Sequence, residues 1–121
     1  MKNILCFVLM SFFFINCSSK DEIRTITTKD LKVLLEKDSI QLLDVRSPTE
    51  VNEGSIKTAF FANYFDADFY SKASKQLDKT KPVYLYCRTG NRSSKASIIL
   101  KEKGFNVVNV IGGYNQWQNE N

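Results

Sequence analysis

The segment Cys87-Arg88-Thr89-Gly90-Asn91-Arg92-Ser93 brings together a thiol, two guanidiniums, a glycine and two hydroxyls. That set suits the handling of an anion. A glycine turns the backbone through conformations that other residues resist, so successive N–H groups can point inward as a cradle. A helix opening near Ser93 adds its unpaired amides and about half a positive charge. Arg88 and Arg92 add two full charges. The first anion to gain is the thiolate of Cys87. A free thiol with a pKa of ~8.5 is only a few per cent ionised at neutral pH. Helix N-termini and nearby arginines lower that to between ~3.5 and ~7.5. A two-unit drop corresponds to about 2.7 kcal/mol of preference for the thiolate. The competing reading keeps the loop as an anion-binding or purely structural turn, with Cys87 as a small buried hydrophobe. A lone thiol at a strand end, followed by a glycine turn, two arginines and a helix start, favours the reactive one.

The chain has 121 residues and no histidine. This excludes Ser-His-Asp and Cys-His pairs, an imidazole general base and any His-ligated metal. Activation of Cys87 must then be electrostatic, and neither a metal nor a cofactor is called for. Lys and Arg number 17 against 13 Asp and Glu, for a formal charge of +4. The charges are scattered, which fits a small anion or an anionic surface and lacks the clustered footprint of a nucleic-acid binder. With 43% hydrophobic and 25% charged residues, 5 Gly and 2 Pro, the composition is that of one folded globular domain.

The first residues read as an address. Met1-Lys2-Asn3 is a short positive start, and Ile4 to Ile15 is apolar throughout except Ser11. Twelve residues are too few for a membrane span, which needs ~20, but fit the ~7–15-residue core of a secretory signal. Asn16-Cys17-Ser18-Ser19 follows. A cysteine in that position resembles the lipobox of bacterial lipoproteins, in which it becomes the lipidated mature N-terminus. Phe14, Ile15 and Asn16 depart from the usual residues before it. An uncleaved anchor and an ordinary cleaved signal are the alternatives. The expected organisation is a signal peptide over 1–16, a tether over 17–23 and a domain over 24–119. The protein would be exported to the bacterial cell envelope and lipid-anchored to a membrane through Cys17, on a periplasmic or outer surface. Cys6 falls in the signal core, so Cys87 is the one thiol left free in the mature chain, with no internal disulfide possible. An odd cysteine in an exported protein marks a reactive thiol.

The elements that must position this loop alternate. Ile23 to Thr27 reads as a short edge strand and Thr28 onward as a helix with Leu31, Leu34 and Leu35 on one face. Ile40 to Val45 reads as a buried strand. Pro48 opens a short helix that Gly54 stops. Ala59 to Ala62 is a further strand, and Asp66 to about Leu77 a helix with Phe69, Ala73 and Leu77 in line. Pro82 to Tyr86 is the clearest strand. Ser93 to Lys103 is the clearest helix, with Gly104 at its C-terminal stop. Asn106 to Val110 is a last strand, and Gly112-Gly113 turns into a last helix around Trp117. The alternation predicts an α/β fold, a mainly parallel five-stranded sheet flanked by helices. Ligands of such sheets bind outside the carboxyl ends of the strands, where Cys87 falls.

The loop resembles the active-site loop of the rhodanese (sulfurtransferase) family, whose single-domain members carry Cys-Arg-x-Gly-x-Arg-Ser. Leu43-Asp44-Val45-Arg46 with Glu50 and Gly54, then Gly104-Phe105, then Gly112-Gly113 with Trp117, resemble further landmarks of that family in the same order. The resemblance covers about residues 24–119. Ser55 stands where the family has a histidine, and Lys57 to Asn63 lacks the usual Gly-Ala and Pro. The resemblance implies a two-step sulfur transfer. The Cys87 thiolate takes the outer sulfur of thiosulfate or a similar anionic donor as a persulfide, then passes it to a thiol or cyanide. Arg88, Thr89, Gly90, Asn91, Arg92 and Ser93 would bind the substrate. Asp44, Arg46 and Glu50 would support the loop: Arg46 and Glu50, four apart, as a local ion pair, and Asp44 by pinning the loop or orienting an arginine. Trp117 is expected in the core. Two alternatives stay open: a persulfide carrier or partner-binding domain without turnover, and a phosphatase or arsenate reductase. Members of that last class place five residues between Cys and Arg, where this chain has four (88–91).

Overall fold

Val83-Tyr84-Leu85-Tyr86 is β-branched and aromatic, and Pro82, which has no N–H to offer a ladder, stands just outside it. In the computed structural model, which describes residues 22–121, this segment is a strand within a five-stranded sheet. The chain runs β1 (Arg24–Ile26), α1 (Thr28–Lys37), β2 (Gln41–Asp44), α2 (Pro48–Glu53), β3 (Phe60–Phe61), α3 (Phe69–Ser74), β4 (Val83–Tyr86), α4 (Asn91–Glu102), β5 (Val107–Val110) and α5 (Gly113–Glu120). The strand order is β1-β5-β4-β2-β3, and every pairing is parallel. The expected signal peptide, Cys17 and most of the tether lie outside the described residues.

Because side chains alternate across a strand, the sheet carries a core on each face. Leu43, Val83, Leu85 and Cys87 pack with Phe69 and Ala73 of α3 and Ala96 and Leu100 of α4. Leu42 and Tyr86 point the other way, onto Leu31 of α1, with Tyr114 and Trp117 of α5 alongside. The β4 strand is thus covered on both faces. The sulfur at its end belongs to one core, and the phenol just before it belongs to the other.

Two helices differ from expectation. Helix α3 spans only Phe69–Ser74. Ahead of it, the Asn63 side chain accepts from the Phe65 N–H, and the Phe69 N–H bonds the Asp66 carbonyl three residues back, closing a turn over 66–69 where helix was expected. After it, Gln76 and Leu77 reach back three residues instead of four, the tighter pattern of a frayed end. Helix α4 starts at Asn91, two residues before the expected Ser93, because Gly90 with φ +117° serves as its N-cap. Arg92 and Ser93 therefore project from the first turn of a helix and not from a free loop.

Candidate active site

Cys87 follows the last residue of β4, and its side chain is 1% exposed. The Gly90 N–H points at the sulfur from 3.1 Å and the Ser93 hydroxyl lies 3.4 Å away. The N–H groups of Thr89 and Ser93 also lie close enough to favour its charged form. Burial pushes the thiol pKa up, but these hydrogen bonds outweigh it and hold the value below that of an ordinary cysteine. Among the described residues no guanidinium donates to the sulfur. The cradle is built from main-chain amides and one hydroxyl at the N-terminus of α4, with Arg92 contributing through its field.

The amides are aimed from outside the loop. The first N–H groups of α5 bind two loop carbonyls, Tyr114 to Cys87 at 2.8 Å and Asn115 to Arg88 at 3.0 Å. In a trans peptide C=O and N–H point in opposite directions. Fixing the Arg88 carbonyl toward α5 therefore turns the Thr89 N–H toward the sulfur. This close approach requires Gly113: with φ +58°, a Cβ there would stand 2.5 Å from the Arg88 oxygen and 2.6 Å from the Cys87 oxygen.

The acidic and basic partners pair differently from expectation. Glu50 closes a capping box with Ser47 and binds Arg92 through two bonds of 2.8 and 2.9 Å. The Arg92 guanidinium, and after it the Ser47 N–H and hydroxyl, hold the Glu50 carboxyl at about 2 against the opposing effect of burial. Arg46 does not meet Glu50. It precedes the cap of α2, so the four-residue spacing is not a helical one, and its side chain turns inward to the buried Asp44. There Nε and Nη2 reach the two carboxylate oxygens at 3.0 and 2.8 Å, and Nη2 also donates to the Gly54 carbonyl at 2.7 Å. Tyr86 donates to Asp44 at 2.7 Å and accepts from the Ile56 N–H. Its phenol is pushed far up by burial and by the Asp44 charge. The Arg46 guanidinium also stacks 4.2 Å from the Tyr114 ring centre.

The structure thus brings together Cys87, Thr89, Gly90, Arg92, Ser93 and Glu50, and sets Asp44 with Arg46 as a second buried unit behind them. Thr89 and Asn91 sit exposed on the rim. Arg88 is also exposed and makes no ion pair among the described residues. Its side chain borders a polar cavity of about 120 Å³ shared with Glu53, Asn115 and Gln118. A larger cavity of about 860 Å³ lies against Ile40 and Phe60, at the amino ends of β2 and β3 and so at the opposite end of the sheet from Cys87. Among the described residues no cluster of His, Cys, Asp or Glu could hold a metal. Asn109, which bonds both Gly90 and Ser93, was not singled out in the sequence. Its one signal is to be the only polar residue of Val107-Val108-Asn109-Val110.

Residues 27–120 match the rhodanese-like domain family. The chain belongs to that family. This rhodanese-like domain is 39% identical over 100 residues to YtwF of Bacillus subtilis, named as a candidate sulfurtransferase, covering 82% of this chain and 94% of that one. It is 34% identical over 93 residues to a protein of Schizosaccharomyces pombe named as a candidate mitochondrial thiosulfate sulfurtransferase, covering 68% and 66%. Its fold matches the crystal structure of a rhodanese-like domain protein from Staphylococcus aureus with a TM-score of 0.71 and 33% identity, over 78% of this chain and 91% of the other. The expected α/β architecture, a mainly parallel five-stranded sheet flanked by helices, is the one shared with this solved structure. At the family's histidine position, Ser55 is exposed to solvent and the Tyr86 hydroxyl binds the neighbouring Ile56 N–H.

Proposed function

We propose that the protein is a sulfurtransferase that moves sulfane sulfur from thiosulfate or a similar anionic donor to a thiol or cyanide through a persulfide on Cys87. The observation that carries this is the sulfur of Cys87 bound by the Gly90 N–H at 3.1 Å, at the N-terminus of a 12-residue helix. A site that favours one sulfur anion favours the next, because the persulfide presents its charge to the same donors. The thiolate attacks the outer sulfur of thiosulfate. The bond between the two donor sulfurs breaks, and sulfite leaves with its electron pair. An acceptor thiolate or cyanide then attacks the outer persulfide sulfur, and the electron pair returns to Cys87. The order is ping-pong, and no proton need be removed by a base.

The arginines divide the work. Arg92 is neutralised by Glu50, so its part is to fix the first turn of α4 and lend the N–H groups not turned toward Glu50. Arg88 is the cation left to meet the sulfonate end of the donor. Export through the signal peptide and lipidation at Cys17 complete the proposal and place the reaction at a bacterial membrane surface.

The test is intact-mass spectrometry before and after thiosulfate. Wild type should gain the mass of one sulfur atom, lost on adding thiol, and the same spectrum reports lipid on Cys17. Cys87→Ser should gain nothing and transfer nothing to cyanide. Transfer by the Ser variant, or hydrolysis of an aryl phosphate by the wild type in place of sulfur transfer, would overturn the reading.

A further inference from the structure

Asn109 stands between Val108 and Val110 on β5 and is 5% exposed. A buried amide is costly unless both ends are bonded. Here both are. Nδ2 donates to the Gly90 carbonyl at 3.3 Å, and Oδ1 accepts from the Ser93 hydroxyl at 2.6 Å. The Gly90 carbonyl can pair only with the NH₂ end of the amide, so Oδ1 must face Ser93. That same hydroxyl lies 3.4 Å from the Cys87 sulfur. Ser93 has one proton to give and two acceptors facing it.

While Cys87 is a neutral thiol, its S–H can donate to the Ser93 oxygen and the Ser93 proton stays with Asn109. Once the sulfur is charged it can only accept, and it draws the same proton away from the amide. We propose that Asn109 is a positioning residue for Cys87, its side-chain carbonyl competing with the sulfur for the single proton of Ser93, so that the hydroxyl turns between them as the sulfur gains and loses charge. This rests on the reading of Cys87 as the nucleophile and adds to it a device that opposes premature ionisation. Deleting the competing carbonyl commits the hydroxyl to the sulfur, and the thiolate forms more easily. The other charged and titratable groups around the site are Arg92 on α4, Glu50 and Glu53 on α2, Arg88 in the loop, Tyr114 on α5, Asp44 on β2, Tyr86 on β4 and Arg46 just past β2. None is changed in the test.

The full-length protein is compared with Asn109→Val, Asn109→Leu, Ser93→Ala and the double variant Asn109→Val/Ser93→Ala. Valine suits a valine-rich strand, leucine keeps the branched shape of the amide, and neither can accept from Ser93. Folding is checked by thermal melting. The Cys87 pKa is read from the pH dependence of iodoacetamide labelling, followed by mass spectrometry on the Cys87 peptide. Either Asn109 variant should lower the pKa by about one unit, a tenfold gain in thiolate below it, and the gain should vanish in the double variant. An unmoved pKa in a folded Asn109 variant, or a shift that survives Ser93→Ala, overturns the switch. A wild-type value at or above the ordinary ~8.5 would instead sink the activated-thiolate reading beneath it.

Discussion

Glu50→Gln tests how the loop is held without touching the sulfur. The substitution keeps the shape and removes the charge that Arg92 binds. The Glu50 carboxyl moves from an ordinary 4.5 to about 2 in the folded protein. At 1.36 kcal/mol per unit that corresponds to about 3 kcal/mol. Both side chains are 20% exposed, and the solvent reaching them trims this to about 2 kcal/mol. The folded-state pKa lies below the unfolded one, so the contribution is fully present above the unfolded value. It is lost as pH falls from about 5 through about 2. Urea unfolding of both proteins between neutral and strongly acidic pH should therefore show the variant about 2 kcal/mol less stable at neutrality, with a melting temperature lower by roughly 10 °C. The two stability curves should converge as Glu50 in the wild type takes up its proton. Curves that stay parallel down to the acid end, or a neutral-pH difference under about 0.5 kcal/mol, would show an ordinary surface pair and refute the loop-anchoring role.

Further outcomes follow from other contacts. Arg88→Ala should raise the KM for thiosulfate by roughly tenfold, the worth of about 1.4 kcal/mol for one charge-assisted contact, with kcat and melting temperature little changed in a steady-state cyanide assay. Gly113→Ala should cost about 1–3 kcal/mol of stability. Because its Cβ would strike the Cys87 and Arg88 carbonyls, it should also slow Cys87 labelling at neutral pH, a result absent if the strain relaxes away from the loop.

The sheet and the loop were legible because their signals are local. The β-branched and aromatic run Val83 to Tyr86, the thiol at its end and the glycine three residues on are readable without knowing what packs against them. Helix ends were less so. The apolar periodicity of α4 begins after Ser93, while the helix itself starts at Asn91, where a polar first turn carries no such pattern. The Arg46–Glu50 pair expected from their spacing does not form, because Arg46 lies ahead of the helix cap and buried Asp44 claims the arginine first. Asn109 and the α5 amides reach the loop only through tertiary packing. No sequence neighbour announces a residue 16 positions from its partner Ser93.

The tethers of the loop all begin elsewhere in the fold: α5 on the Cys87 and Arg88 carbonyls, Asn109 on the Gly90 carbonyl, and Glu50 on Arg92. The circumference of the anion ring is consequently dictated by its surroundings. An extra residue inserted between Thr89 and Arg92 could not simply bulge outward. It would have to surrender one of these moorings, so a shift toward the wider ring that a phosphate needs would require concerted changes in β5, α2 or α5.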